Sequence, residues 1–383
     1  MIPQLYKKAE DCCGCKACAN ICPRDAISFR LDEYGFQYPV IDEDKCIGCN
    51  RCVKTCDFQR EGNFGSHPMM GYAARHKSFA VYSRSTSGGV FTALAEWVIK
   101  KGGIVYGCVF DESMHPVHQS VGSTEKLSKM RGSKYVQSDV KFIYREIKDK
   151  LTEGKQVLFT GTPCQVAGLI AFLGKTDMSR LLTSDLVCHG VPSALTFQKY
   201  LEFLQQKFHS KIRSFQFRNK RYEWERPVIS VGLDNGKEKW WFSTEDIYYE
   251  NFNKGNLQRP SCNHCKYACE YRCGDFTIGD FWGYQKTDFK MSVKEGISCC
   301  LINTQKAKDI FGSLNLNVEE VDPSIIIQGN YHLRKPSTKG GRWEIVMNEI
   351  RYHGFDILAS EFKRTHRMAF FKAFIKKIVL RKM

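Results

Sequence analysis

The chain has 383 residues, 43% of them apolar and 18 of them cysteine, with a formal net charge of +16. That length holds two or three domains with a sizeable core, which excludes a minimal disulfide-stapled scaffold. The charge layout argues against nucleic-acid binding, because residues 1–60 balance nine basic with nine acidic groups and half of the excess sits in residues 363–383.

The opening stretch, MIPQLYKKAEDCCGCKAC, has no apolar run ahead of its first cysteines. A cytoplasmic location is expected, where thiols stay reduced and clustered cysteines serve as metal ligands or redox groups.

Residues 1–60 read as a cysteine-rich module. Cys12, Cys15, Cys18 and Cys22 follow C-x2-C-x2-C-x3-C, with Pro23 next. Cys46, Cys49, Cys52 and Cys56 repeat that spacing. Two-residue gaps curl three thiolates around one iron–sulfur cubane, and the fourth cysteine of each run reaches across to the other cluster. On that logic Cys12, Cys15, Cys18 and Cys56 hold one [4Fe–4S] cluster, and Cys46, Cys49, Cys52 and Cys22 hold a second. Zinc sites use separated pairs, which this pattern does not show. Cys13 falls outside the pattern, and Asp57 stands where Pro23 stands in the first run. Between the runs, AISFR, DEYG and FQYPVI read as a hairpin.

Residues 61–70, EGNFGSHPMM, read as a linker. The alternation beyond it, up to about residue 350, predicts a mixed α/β body. STSGGVFTALAEW puts Ser85, Ser87, Gly88 and Gly89 at the start of a predicted helix. Hydroxyls and open backbone N–H groups there suit a phosphate, or simply cap the helix. MRGSKYVQS adds Arg131 and Lys134 beside Tyr135, as phosphate or ring contacts or as a solvated loop. GTPCQ and DLVCHGVPS each end a predicted strand and hold Cys164 and Cys188. Sites of open α/β sheets lie at such ends, although a lone cysteine is more often packing. RPVISVGLDNGKEKWWF predicts a hairpin about Asp234-Asn235-Gly236.

CNHCKYACEYRC follows, from Cys262 to Cys273. On a helix Cys265, Cys269 and Cys273 form one stripe, with its ends about 12 Å apart. One cubane cannot take both ends, so a local site of Cys262, Cys265, Cys269 and Cys273 requires an irregular loop. A zinc site with His264 stays open as well. Cys108, Cys299 and Cys300 lie in apolar runs and read as core. Asp275, Asp280 and Trp282 in GDFTIGDFWG read equally as a structural turn or a substrate wall. The tail from 363 to 383 reads as a basic amphipathic helix, packed on the core or lying on an anionic membrane surface. It is too charged to span a bilayer.

In order, STSGG, GSKYVQS, GTPCQ, CHGVPS, FRNK, SCNHC and DFTIGDFWG resemble the beta subunits of coenzyme F420 hydrogenases and dehydrogenases. The resemblance covers roughly residues 70–345. It implies a ferredoxin-like two-cluster module joined to a mixed α/β flavin-binding domain, α+β overall. The regions would be 1–60, 71–150, 151–350 and the tail 363–383. It further implies FAD, contacted by Ser85, Ser87, Gly88, Gly89, Lys134 and Tyr135. A third cluster is implied on Cys164, Cys188, Cys262 and Cys265, with Cys269 and Cys273 as extras.

The expected function is that of an iron–sulfur flavoprotein oxidoreductase. It would exchange electrons with a ferredoxin or redox partner subunit and act on a small molecule or a deazaflavin-type cofactor. The alternative is an electron-transfer subunit of a larger complex, with no substrate of its own. A redox role in surface-polysaccharide synthesis is a weaker reading, and no nucleic-acid partner is expected. The tail would place the cytoplasmic protein at the inner membrane surface.

Overall fold

The computed structural model describes residues 2–62 and 65–366. The tail reading therefore falls largely outside the described residues; Lys363 and Arg364 belong to the helix Asp356–Thr365. Among the described residues no helix is long and apolar enough to cross a membrane.

An eight-stranded mixed sheet organises the body. Its strands run Leu316–Val321, Met70–His76, Ser298–Ile302, Phe276–Asp280, Leu181–Leu186, Val157–Gly161, Ile104–Phe110 and Pro116–Val121. The central strands Phe276–Asp280, Leu181–Leu186, Val157–Gly161 and Ile104–Phe110 pair in parallel, and the flanking pairs are antiparallel. Val157–Gly161 is buried at every position, as a strand covered on both faces must be. Met70 opens a sheet strand, so the expected linker is partly structural, and Ser66 bridges to Arg272.

GTPCQ does more than turn. Thr162 and Gln165 form a reciprocal cap, with Pro163 at the first position of the helix Pro163–Leu173. Cys164 therefore sits in a first helical turn, aimed by a rigid cap. The expected hairpin forms between Arg226–Leu233 and Glu238–Phe242 and joins Ile212–Glu223 in a three-stranded sheet.

The N-terminal module carries the hairpin Ile27–Leu31 with Gln37–Ile41. It is built into the body. Phe36 and Tyr38 enter the same apolar cluster as Phe197, Tyr200, Phe217, Tyr248 and Trp343. Burying an aromatic ring of that size is worth roughly 1.5–3 kcal/mol. Polar ties surround this contact. Arg145 donates to Asn20 O at 2.7 Å and to Cys22 O at 2.9 Å, and Lys16 pairs with Asp139 at 2.7 Å. Ser193, which caps the helix Ala194–Phe208, donates to Tyr34 O at 2.7 Å.

Candidate iron–sulfur sites

The two cysteine runs fold alike. Gly14 and Gly48 take left-handed backbone at φ 70° and 66°, and so do Lys16 and Asn50 at 62° and 57°. Each pair is separated by the 34-residue offset between the runs, so the repeat extends to the backbone. Short helices follow, Ala17–Ile21 and Arg51–Thr55, and Cys22 and Cys56 end them.

The ends of these helices exchange partners. Burial raises the Cys18 thiol, and the nearby thiols of Cys15, Cys12 and Cys56 raise it further. Cys56 is pushed to about 11, by burial first and then by Cys15 and Cys12. Cys22 instead lines a cavity with Cys46, Cys49 and Cys52. Each set thus holds three cysteines of one run and the last of the other. Cys49 is exposed, so the second set lies at the surface.

The cavity of the third set is lined by Cys164, Cys188, Cys262 and Cys265, together with Cys13. Burial pushes Cys188 and Cys265 to about 12, and the other thiols of the cavity add to the shift. Cys164 goes the opposite way, to about 7, chiefly through a hydrogen bond with Cys13. Thr162 Oγ1 stands 3.1 Å from Cys164 Sγ. Four thiols around one cavity match the four-cysteine ligand set of a cubane of iron and sulfur. Among the described residues no three His, Cys, Asp or Glu side chains stand close enough together to hold a single metal ion.

The stretch from Cys262 to Cys273 divides. Cys262 lies in the short 3-10 helix Pro260–His264, and the chain beyond it is irregular rather than helical. Cys269 approaches the carbonyls of Lys266 and Tyr271 at 3.2 and 3.5 Å. Cys273 packs against the apolar cluster of Phe159, Val166 and Leu169. Arg272 shapes this segment. It pairs with buried Asp185 at 2.8 Å and donates to Tyr267 O and Cys269 O.

Two residues at this junction were not singled out as participants from the sequence. Cys13 is buried, lines the cavity of the third set with Cys164, and directly follows Cys12 of the first set in the chain. Its position in a Cys-Cys doublet was the one visible signal. Arg259 is fully buried and donates to Cys12 O at 2.7 Å. No periodicity marks it, because its burial depends on the docked module.

The expected FAD contacts are placed differently from a phosphate cradle. Ser85 Oγ donates to Val81 O at 2.9 Å, and Ser87 Oγ donates to Ile297 O at 2.6 Å. The Gly88 N–H donates to Ser298 Oγ at 2.8 Å, and a Cβ at Gly88 would lie 2.1 Å from Ala74 O. Gly88 thus serves close packing against the sheet. Gly89, at φ 89°, starts the helix Val90–Lys100. Lys134 Nζ reaches the carbonyls of Met130, Arg131 and Gly132. Tyr135 stacks on Phe252 with ring centres 4.7 Å apart. The two segments do meet, through Ser133 N donating to Thr86 Oγ1 at 2.8 Å. As arranged, these polar groups bind the protein to itself and do not fit an FAD phosphate.

FRNK and GDFWG also meet. Arg218 pairs with Asp280, and Trp224 Nε1 donates to Asp280 at 3.1 Å. Trp224 and Trp282 stack at 4.9 Å. Lys220 donates to the carbonyls of Tyr82, Ser87 and Glu295, and burial lowers it to about 8. Asp280 and Trp282 thus form a structural joint. Asp275 does likewise, accepting from Thr183 N at 2.8 Å. Cys299 and Cys300 are fully buried, as expected of core.

Comparison with known proteins follows this geometry. Residues 154–323 match the family described as the C terminus of the coenzyme F420 hydrogenase/dehydrogenase beta subunit, and residues 11–59 match the 4Fe-4S dicluster domain. The two matched stretches follow one another along the chain, the dicluster match first and the beta-subunit match second. The chain is 25% identical over 337 residues to the coenzyme F420-dependent sulfite reductase of Methanocaldococcus jannaschii. That match covers 81% of this chain and 48% of the relative, so the chain spans about half of the relative's length. The dicluster domain is 40% identical over 42 residues to the ferredoxin-type protein NapF of Haemophilus influenzae, covering 11% of this chain and 24% of that one. Among solved structures, the F420-reducing [NiFe] hydrogenase complex from Methanosarcina barkeri has a chain that aligns with a TM-score of 0.45 and 18% identity. The alignment covers 68% of this chain and 84% of that one. The matched beta-subunit region includes all four cysteines of the third cavity.

Proposed function

We propose that this protein is a three-cluster iron–sulfur electron-transfer protein that works with a redox partner in an oxidoreductase system. Cys12, Cys15, Cys18 and Cys56 would hold the first [4Fe–4S] cluster. Cys22, Cys46, Cys49 and Cys52 would hold the second, and Cys164, Cys188, Cys262 and Cys265 the third. Bound clusters of this type supply one-electron chemistry.

The observation that carries the reading is the place of buried Cys13, which lines the third set's cavity with Cys164 and directly follows Cys12 of the first set in the chain. It makes the two sets neighbours in one buried wall. The second set opens to solvent at Cys49, beside exposed Ile47 and Val53, and offers the face a partner would approach. The residues between these ends exclude water and keep the thiols fixed.

The flavin and the substrate enter this reading more narrowly. The family resemblance implies FAD, but the serine, glycine and lysine groups expected to hold it are engaged within the protein. No step is therefore derived through FAD. A role as conduit for a partner that carries the substrate accounts for the arrangement. Anaerobic iron, sulfide and flavin analysis of the purified protein is the test. About twelve irons per chain are expected, and about eight would remove the third cluster from the reading.

A further inference from the structure

Arg259 has a relative exposure of 0%, although a guanidinium is among the costliest groups to take out of water. Its donors all meet neutral oxygens. Nε donates to Cys12 O at 2.7 Å, one terminal nitrogen to Gln137 Oε1 at 3.1 Å and the other to Gln37 O at 2.9 Å. Its plane lies over the ring of Tyr38 at 4.3 Å and over that of Phe36 at 5.6 Å. Among the described residues no carboxylate forms an ion pair with it, whereas the other fully buried arginine, Arg272, has Asp185.

A buried cation persists when an anion stands nearby. The groups that act on Arg259 most strongly, after burial itself, are Cys12, Tyr38, Cys13 and Cys262. Two of these belong to different cysteine sets, Cys12 to the first and Cys262 to the third. The link to the third set is also short, since Arg259 stands three residues before Cys262 and Cys262 N donates to Arg259 O at 2.9 Å. The arginines beside the second set, Arg24 and Arg51, are exposed rather than buried. That set's cavity is lined by Pro3, Pro23, Ile27, Ile41 and Ile47, with Arg24 and Arg51 at the open rim.

We infer that Arg259 is the shared counter-charge of the first and third cysteine sets, raising the reduction potential of whatever cluster each set holds. A cluster on four thiolates is anionic, and reduction adds one further negative charge. A fixed cation beside it favours the reduced form, and low-dielectric surroundings strengthen the effect. Because one guanidinium serves two sets, the potentials of those sets shift together. Arg259 is thus a positioning residue for charge, and the inference rests on the three-cluster reading.

The test is an EPR-monitored redox titration of the full-length, anaerobically loaded protein, with dithionite as electron donor. Arg259→Gln should lower the reduction equilibrium constant of the first and third sets by about tenfold or more, which is about 59 mV for a one-electron step. The second set, identified by its absence from Cys46→Ser, should keep its potential. Arg259→Lys keeps the charge and should restore most of the loss. If Arg259→Gln loses iron, Gln137→Glu replaces it. That carboxylate faces the guanidinium, neutralises it in place and should lower the same two potentials. Unchanged potentials at full iron content would overturn the inference, and so would an equal shift in all three sets. A native protein with about eight irons refutes the third site instead, and Arg259 is then judged on the first set alone.

Discussion

Gly168 offers a test of how tightly the module and the body are fitted. It lies in the helix Pro163–Leu173, five residues beyond the capped start. A Cβ placed there would stand 2.9 Å from Cys15 Sγ, 3.1 Å from Cys15 Cβ and 3.3 Å from Tyr144 Oη. Ordinary carbon contacts lie at about 3.5–4.0 Å, so Gly168→Ala drives a methyl several tenths of an ångström into a candidate ligand. Overpacking of this size costs about 1–3 kcal/mol, while alanine for glycine inside a helix returns about 1 kcal/mol. The net loss is about 0–2 kcal/mol, which leaves the chain folded. The cheapest relief is a rotation of Cys15, and that moves a thiol out of the first set. Gly168→Ala should therefore lose about four of about twelve irons with only a small drop in melting temperature. Gly312→Ala is the control, because its Cβ meets nothing within 4 Å. Iron analysis and circular-dichroism melting, run under argon, read both quantities. Full iron content in Gly168→Ala would refute the contact between Cys15 and the helix.

Two further outcomes are expected. Cys164→Ser or Cys188→Ser should remove the iron of the third set, while Cys273→Ser, outside that cavity, should keep it; iron content and low-temperature EPR of each variant decide this. Buried His118, hydrogen-bonded to Thr160 O and Ser138 Oγ, is lowered to about 4 by burial. Its neutral form is the native one, so the unfolded chain binds more protons between the unfolded value of 6.5 and about 4. Stability is then full above pH 6.5 and falls by roughly 3 kcal/mol as the pH drops to about 4. Urea titrations at pH 7.5 and 5 should show that slope, and His118→Asn should flatten it.

The parts of the fold and the site that can be read from sequence are those decided locally. The two cysteine runs carry their ligand spacing within eleven residues each, and the repeat in backbone conformation follows from it. The hairpin at Asp234–Gly236 and the helix Val90–Lys100 are likewise written in adjacent residues. The third set is not local. Cys164 and Cys188 come from the ends of neighbouring parallel strands, and Cys262 and Cys265 come from a loop held by Arg272. The motif resemblance points to those four, where spacing alone leaves open a local site of Cys262, Cys265, Cys269 and Cys273 on an irregular loop, or a zinc site. The serine–glycine turn shows the opposite problem. A phosphate seat and a turn packed against a sheet use the same small residues, and only the partners of Ser87 and Gly88 tell them apart.

The contact between Arg259 and Cys12 spans 247 residues of chain. During synthesis at about 5–20 residues per second, Cys12 is added to the chain roughly 12–50 s before Arg259. Through that interval the N-terminal thiols lack their buried cation, and the body that covers them is incomplete. The nascent module is thus open to cluster-loading machinery, and to oxygen, during a window that closes when the body folds around it.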